Sequence, residues 1–144
     1  MPVRTAEAEW KGDLQSGQGQ LKLGTGAFEG QYSFKTRMGD DTSGTNPEEL
    51  IAAAHAACFS MALSAGLARA GFTPTSVKTN ARVHFNPTAQ GYVIGPIELE
   101  TTAVVPGIDE AKFQELANEA KQNCPVSRAL AATEIRLQAR LVQQ

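Results

Sequence analysis

The chain has 144 residues, 42% hydrophobic and 19% charged, with 13 basic and 15 acidic side chains and a formal net charge of −2. That length suits one domain with a core of its own, and a near-neutral balance without long runs of like charge speaks against an electrostatic nucleic-acid binder. Thirteen Gly and seven Pro are too few for a low-complexity chain, and two Cys make neither a disulfide scaffold nor a four-ligand zinc site.

In chain order, Met1-Pro2-Val3-Arg4-Thr5 leads into acidic and polar residues with no apolar signal-peptide core. A cytosolic protein with reduced thiols is the expectation. Residues 3–11 read as a strand with Ala6, Ala8 and Trp10 on one face. A Gly- and Ser-containing turn over 13–19 follows. Residues 20–23 and 28–37 read as two further strands around a Gly24-Thr25-Gly26 turn, with Tyr32 and Phe34 on one face and Lys35 and Arg37 on the other. Residues 39–44 form a polar loop.

The pattern then predicts a helix over about 47–70, roughly 36 Å long. Asn46 is suited to the N-cap, Pro47 to the first helical position and Glu49 to the third position of a capping box. Glu48 and Glu49 suit the positive end of the helix dipole, and Gly71 supplies the stop. Within this helix Leu50 to Ala68 is a run of 19 residues without a formal charge, about the length that spans a bilayer. It is rich in Ala, holds His55, Ser60 and Ser64, lacks a basic flank on one side, and no second such segment exists. The expectation is therefore a buried helix of a soluble protein, with no membrane contact. Burial on every side is hard in one small domain, so a second subunit is expected to cover one face, giving a homodimer.

Two strands come next. Val77, Thr79, Ala81, Val83 and Phe85 alternate with polar residues, 86–91 turn, and a strand over about 92–105 places Ile97, Leu99, Thr101 and Ala103 on one face. Pro96 suggests an edge or a bulge. Asp109 can cap a helix, with Ile108 and Phe113 as a hydrophobic staple and Phe113, Leu116, Ala117 and Ala120 as its apolar stripe. Pro125 ends it, a short turn of helix follows, and Ile135, Leu137, Ala139 and Leu141 alternate as a last strand. The order predicts a single α+β domain over 1–144 with a mainly antiparallel sheet.

The residues suited to chemistry are Cys58, Cys124, Arg37, Glu48, His55 and His84. Cys58, mid-helix, reads either as a small buried hydrophobe or as a reactive thiol. Cys124 precedes Pro125 and can cap the short helix after it, a position that stabilises a thiolate. His55 lies three residues before Cys58 on the same helix face. With Cys124 these two offer three ligands for a metal, and His55 with Cys58 a hydrolytic dyad. His84 alternates with apolar positions and reads as a solvent-facing strand residue.

The segment Gly44-Thr45-Asn46-Pro47-Glu48-Glu49-Leu50-Ile51-Ala52-Ala53-Ala54-His55-Ala56-Ala57-Cys58-Phe59-Ser60-Met61-Ala62-Leu63, together with Asn123-Cys124-Pro125-Val126-Ser127, strongly resembles the OsmC/Ohr family of peroxide-reducing proteins. Glu9-Trp10-Lys11-Gly12-Asp13, Thr36-Arg37, Gly71-Phe72-Thr73-Pro74-Thr75 and Val105-Pro106-Gly107-Ile108-Asp109 look like the OsmC branch, and the likeness covers nearly the whole chain. The resemblance implies an OsmC-like fold and a thiol-dependent peroxidase of the stress response; the apolar helix and the spacing of Glu48 from Cys58 predict an intertwined dimer. Cys58 would attack the hydroperoxide and become a sulfenic acid. Cys124 would resolve it into a Cys58–Cys124 disulfide, and an external dithiol would reduce that disulfide. Arg37 would stabilise the thiolate and the developing charge, and Glu48 would hold Arg37. No metal, haem or flavin is needed.

Position alone favours Cys124 as the more acidic thiol, so the role of Cys58 as attacker rests on the resemblance and on Arg37 reaching it. Glu48 and Cys58 are about 15 Å apart along one helix. Arg37 therefore either bridges the gap or comes with Glu48 from the partner subunit, and the apolar helix favours the partner. Phe59, Met61, Ala62 and Leu63 near Cys58 suggest an apolar pocket suited to organic hydroperoxides. A thiol redox sensor and a non-enzymatic apolar-ligand-binding stress protein are the other readings.

Overall fold

The computed structural model describes residues 2–142. Its contacts divide the chain into two compact units, Met1–Leu50 and Ile51–Gln144. The first holds β1 (Ala6–Lys11), β2 (Gln18–Leu23) and β3 (Glu29–Tyr32), an antiparallel sheet in the order β1-β2-β3, followed by the short helix α1 (Phe34–Met38) and the opening of α2 (Pro47–Arg69). Gly19 of β2 lies between Trp10 and Tyr32 in register. The two rings meet with centroids 5.6 Å apart, and a Cβ at Gly19 would fall 2.4 Å from the Tyr32 ring.

Here one expected strand gives way. Residues 28–37 are a strand only as far as Tyr32. Ser33 caps α1: its hydroxyl accepts from the Thr36 N–H at 3.2 Å and its own N–H donates to Thr36 Oγ1 at 2.8 Å. The local cap outcompetes the sheet ladder, so Arg37 stands on a helix.

The opening of α2 follows the predicted signals. Asn46 Oδ1 accepts from the Glu49 N–H at 2.8 Å. The Glu49 carboxylate accepts from the Thr45 hydroxyl, also at 2.8 Å, one residue earlier than the expected return bond to the cap.

In the second unit, α2 ends in a Schellman motif. Phe72 N–H donates to Leu67 O at 2.8 Å, Gly71 N–H donates to Ala68 O at 3.0 Å, and Gly71 takes φ +92°. Strands β4 (Ser76–Thr88) and β5 (Gly91–Val104) pair antiparallel, and β6 (Ile135–Val142) joins β5 in parallel. Pro96 thus lies on the central strand, not on an edge. It is tolerated at a bulge, where the register shifts between Val83 and Phe85. The parallel last pairing follows from the crossover through α3 (Glu110–Asn123) and α4 (Pro125–Ala129). Asp109 caps α3, accepting from the Lys112 N–H at 2.7 Å. The core joins Phe59, Leu63 and Leu67 of α2, Ile97, Leu99 and Ala103 of β5, and the predicted α3 stripe.

Helix α2 is long and apolar enough, by length and composition, to cross a membrane. In this chain His55, Phe59, Leu63 and Leu67 form its buried stripe, while Ala54, Ala57, Met61, Ala65 and Ala68 are exposed. The apolar periphery is thus covered on one face only.

Candidate active site

Two pairs of side chains assemble around the predicted residues. In the first unit, Arg37 Nε donates to Glu48 Oε1 at 2.8 Å and to Oε2 at 3.2 Å, and Arg37 Nη2 lies 2.7 Å from Oε1. Glu48 is buried, with 6% of its surface exposed. A buried carboxylate without a cation would carry a large desolvation cost, so the guanidinium is fixed to it by charge and by two-point geometry. The frame is local. The Thr36 hydroxyl donates to Thr45 O at 2.7 Å and Asn46 Nδ2 donates to Thr36 O at 3.0 Å, which ties α1 to the start of α2. Arg37 and Glu48 of one chain therefore form one rigid pair.

In the second unit, Cys58 of α2 and Cys124 have their sulfurs 2.9 Å apart, in hydrogen-bond contact, and both are free thiols. Cys124 closes α3, its N–H donating to Ala120 O at 2.8 Å, and opens α4 as the residue before Pro125. It is fully buried, while Cys58 is half-buried. The sulfur of Cys124 makes no regular capping bond to α4. Even so, it is pulled below the ordinary thiol value: burial opposes this, but hydrogen bonding from Cys58, the Ser127 N–H and hydroxyl and the Val126 N–H outweighs it. Cys58 moves the other way, pushed up first by burial and then by its contact with Cys124. The two directions agree with the position of Cys124 at a helix start.

His55 is fully buried and pairs with Ser127, Nε2 to Oγ at 2.7 Å, rather than with Cys58, so the dyad weighed from the sequence does not form. Burial lowers its pKa and keeps the ring neutral. Among the described residues, no group of three His, Cys, Asp or Glu side chains could hold a metal ion. His84 does not stand alone in solvent. It meets Glu98 of β5 at 2.5 Å, and this bond, ahead of other causes, holds the Glu98 carboxyl below its usual range. Phe59 and Leu63 are fully buried in the core and cannot line a pocket at Cys58, whereas Met61 is 73% exposed on the same helix. The Ser127 partner of His55 escaped the sequence reading. Its signal was the mirrored spacing, His55 three before Cys58 and Ser127 three after Cys124.

Residues 39–139 match the family model described as OsmC-like protein. Peroxiredoxin OsmC of Escherichia coli strain K12 is 47% identical over 130 residues, covering 90% of each chain. The crystal structure of the organic hydroperoxide resistance protein OhrB of Bacillus subtilis superposes with TM-score 0.71 and 26% identity, covering 96% of this chain and 98% of the other. A Legionella pneumophila structure described as an organic hydroperoxide resistance protein OsmC gives TM-score 0.74 at 22% identity, covering 97% and 99%, a likeness of fold. With the α+β fold, the two cysteine motifs in place and this similarity along most of its length, the chain belongs to the OsmC-like family.

Proposed function

We propose that this protein is a thiol-dependent peroxidase that reduces organic hydroperoxides to alcohols through Cys58 and Cys124. The observation that carries the reading is the 2.9 Å approach of a half-buried thiol to a buried one. An oxidant can reach the first, and the second waits beside it. The Cys58 thiolate attacks one peroxide oxygen. An S–O bond forms, the O–O bond breaks, and the alkoxide leaves and takes a proton as alcohol. Cys124 then attacks the Cys58 sulfur, an S–S bond forms, and hydroxide leaves and takes a proton as water. An external dithiol returns both thiols by exchange. The reduced thiols between turnovers suit a reducing compartment such as the cytoplasm.

Because Cys124 is the more acidic thiol within one chain, Cys58 needs a cation to become the attacker. Arg37, held by Glu48, supplies it and binds the peroxide oxygen as charge develops. Ten residues of sequence at the standard helical rise would separate Glu48 from Cys58 by about 15 Å. The Arg37–Glu48 pair of one copy therefore serves the Cys58 of its partner, in an intertwined homodimer built on the exposed apolar face of α2. Each copy, residues 1–144, acts as a single domain of that dimer. The names of the relatives, a peroxiredoxin and organic hydroperoxide resistance proteins, support the activity.

The test is single-turnover oxidation of the reduced protein with one equivalent of cumene hydroperoxide. Loss of both thiols and a Cys58–Cys124 linkage by mass spectrometry is expected, with the sulfenic acid trapped on Cys58 in the C124S variant. Survival of both thiols would overturn the reading.

A further inference from the structure

Helix α2 and the start of α4 meet through two polar contacts. Cys124 Sγ lies 2.9 Å from Cys58 Sγ, and Ser127 Oγ lies 2.7 Å from His55 Nε2. His55 and Cys58 are three residues apart on one face of α2. Cys124 and Ser127 span the first turn of α4, which the Arg128 N–H closes on Cys124 O at 3.0 Å. The two contacts are therefore rigidly linked on both sides, and a slip of Ser127 against His55 carries Cys124 away from Cys58. The buried side chain of α4 is that of Ser127, while Val126 and Leu130 are only partly covered by the core. A helix of five residues with so little apolar anchorage has its seat fixed by polar bonds.

His55 is 0% exposed and Ser127 5%. His55 Nδ1 is buried and has no hydrogen-bond partner among the described residues. A ring N–H left without an acceptor there is the rarer and costlier arrangement, so Nδ1 carries the lone pair and Nε2 the proton. His55 Nε2–H thus donates to Ser127 Oγ. Breaking this bond would strand two buried polar groups, so it holds its geometry. The neighbouring sulfur contact does not. Oxidation places an oxygen on Cys58, and a disulfide draws the sulfurs from 2.9 Å to about 2.05 Å. The His55–Ser127 bond has no redox chemistry and passes through these changes intact.

We propose that His55 and Ser127 are positioning residues for the resolving step: their bond pins α4 to α2 and keeps Cys124 against Cys58 while Cys58 carries the sulfenic oxygen. The inference rests on the reading of Cys58 and Cys124 as the working pair. At that stage two reactions compete for one sulfur. In the first, the Cys124 thiolate attacks Cys58 Sγ, an S–S bond forms, the S–O bond breaks, and hydroxide leaves and takes a proton as water. In the second, the sulfenate sulfur attacks a further hydroperoxide. A second S–O bond forms, the O–O bond breaks, the alkoxide leaves as alcohol, and Cys58 ends as sulfinic acid, which a dithiol does not recover. The first reaction is intramolecular, and its rate depends on how closely Cys124 is held. The second depends on hydroperoxide concentration and not on α4. The pin therefore sets how much hydroperoxide the protein withstands before it is inactivated.

The ratio of the two products tests this. Reduced protein is treated with rising cumene hydroperoxide, and disulfide and Cys58 sulfinic acid are counted by mass spectrometry. The concentration that sends half of Cys58 to sulfinic acid is expected to fall about tenfold in S127A and in H55F. H55Q, which keeps a donor, should restore most of it. S60A removes another part-buried α2 hydroxyl, bonded to Thr79 at 2.7 Å, and should leave the ratio in place. The first oxidation of Cys58, timed in the C124S background, should be unchanged by S127A. Where S127A fails to fold, S127T and S127V, similar in volume and different in the hydroxyl, make the comparison. A wild-type ratio in folded S127A or S127V, or in H55F, overturns the pin. A second arm omits peroxide. Ellman's reagent converts Cys58 to a mixed disulfide, and Cys124 then displaces the remaining nitrothiobenzoate in a phase independent of reagent concentration. At a pH where Cys124 is ionised throughout, that phase should slow about tenfold in S127A, and an unchanged phase also overturns the pin. Failure of cumene hydroperoxide to oxidise Cys58, with this phase slowed, would sink the peroxidase reading and leave the pin standing.

Discussion

Among single residues, His55 links stability to pH in a way that can be read separately from the carboxylates. Burial depresses its pKa below the ordinary value of 6.5. As pH falls through that value, the unfolded chain gains a proton that the folded chain refuses. The unfolded state then binds more protons, so stability declines on acidification, by up to about 1.4 kcal/mol per pH unit while the difference lasts. The loss begins above the range in which the lowered carboxyls of Glu98 and Glu134 take up protons. Urea unfolding between about pH 6.5 and 5 should therefore show falling stability in the wild type, and a flatter line in H55Q. An equal slope in both would show that His55 is not the group responsible. The sequence displayed the residue and its offset from Cys58, but not its partner. Buried contact between two helices separated by some seventy residues leaves no periodicity to read. The same holds for His84: alternation placed it on a strand, while its partner Glu98, which pairs with Arg82 in the register, reaches it diagonally beside the bulge between Val83 and Phe85.

At the level of elements, α1 shows why a site residue can be found and its setting missed. Arg37 stood out, but Tyr32 and Phe34 against Lys35 and Arg37 mimic a strand, and a helix of five residues is too short to show a 3.6-residue period. What decides it is the Ser33–Thr36 capping box, legible only as a Ser before a short polar run with Gly39 at its end. The long helix, with its cap, its proline and its glycine stop, was legible because each end carries its own chemistry. The direction of β6 was not, since alternation fixes faces and not polarity. The cap makes a prediction about function. S33A should cost about 1 kcal/mol and, by loosening α1, free Arg37 from its alignment with Glu48. D109A, which removes the cap of α3, should cost a similar amount without touching that frame. Stopped-flow oxidation of Cys58 should slow in S33A and keep its rate in D109A. Equal rates at matched stability would show that the α1 cap serves the fold alone.

For the molecule as a whole, the proposed dimer raises the question of which copy would supply the proposed cation. Helix α2 leaves Ala54, Ala57, Met61, Ala65 and Ala68 exposed as a continuous stripe on the face away from its buried side chains. An apolar face of that length is poorly suited to water and well suited to the same face of a second copy, where a two-fold axis makes one patch complement itself. In such a dimer the position of Arg37 can be assigned by complementation. R37M and C58S are each expected to be inactive toward cumene hydroperoxide when alone. Unfolded together and refolded as an equal mixture, about half the dimers are mixed by chance. If Arg37 acts across the interface, every mixed dimer rebuilds one complete site, from the Cys58 of one copy and the Arg37 of the other, beside one doubly broken site. Activity should then recover to about a quarter of the wild type under the same refolding. If Arg37 serves the Cys58 of its own chain, no mixed dimer holds both groups on one copy, and the mixture stays as inactive as its parents. Sedimentation of the mixture shows whether dimers have formed. A dimeric but inactive mixture would return Arg37 to its own chain and require the guanidinium to span the length of α2 that separates Glu48 from Cys58.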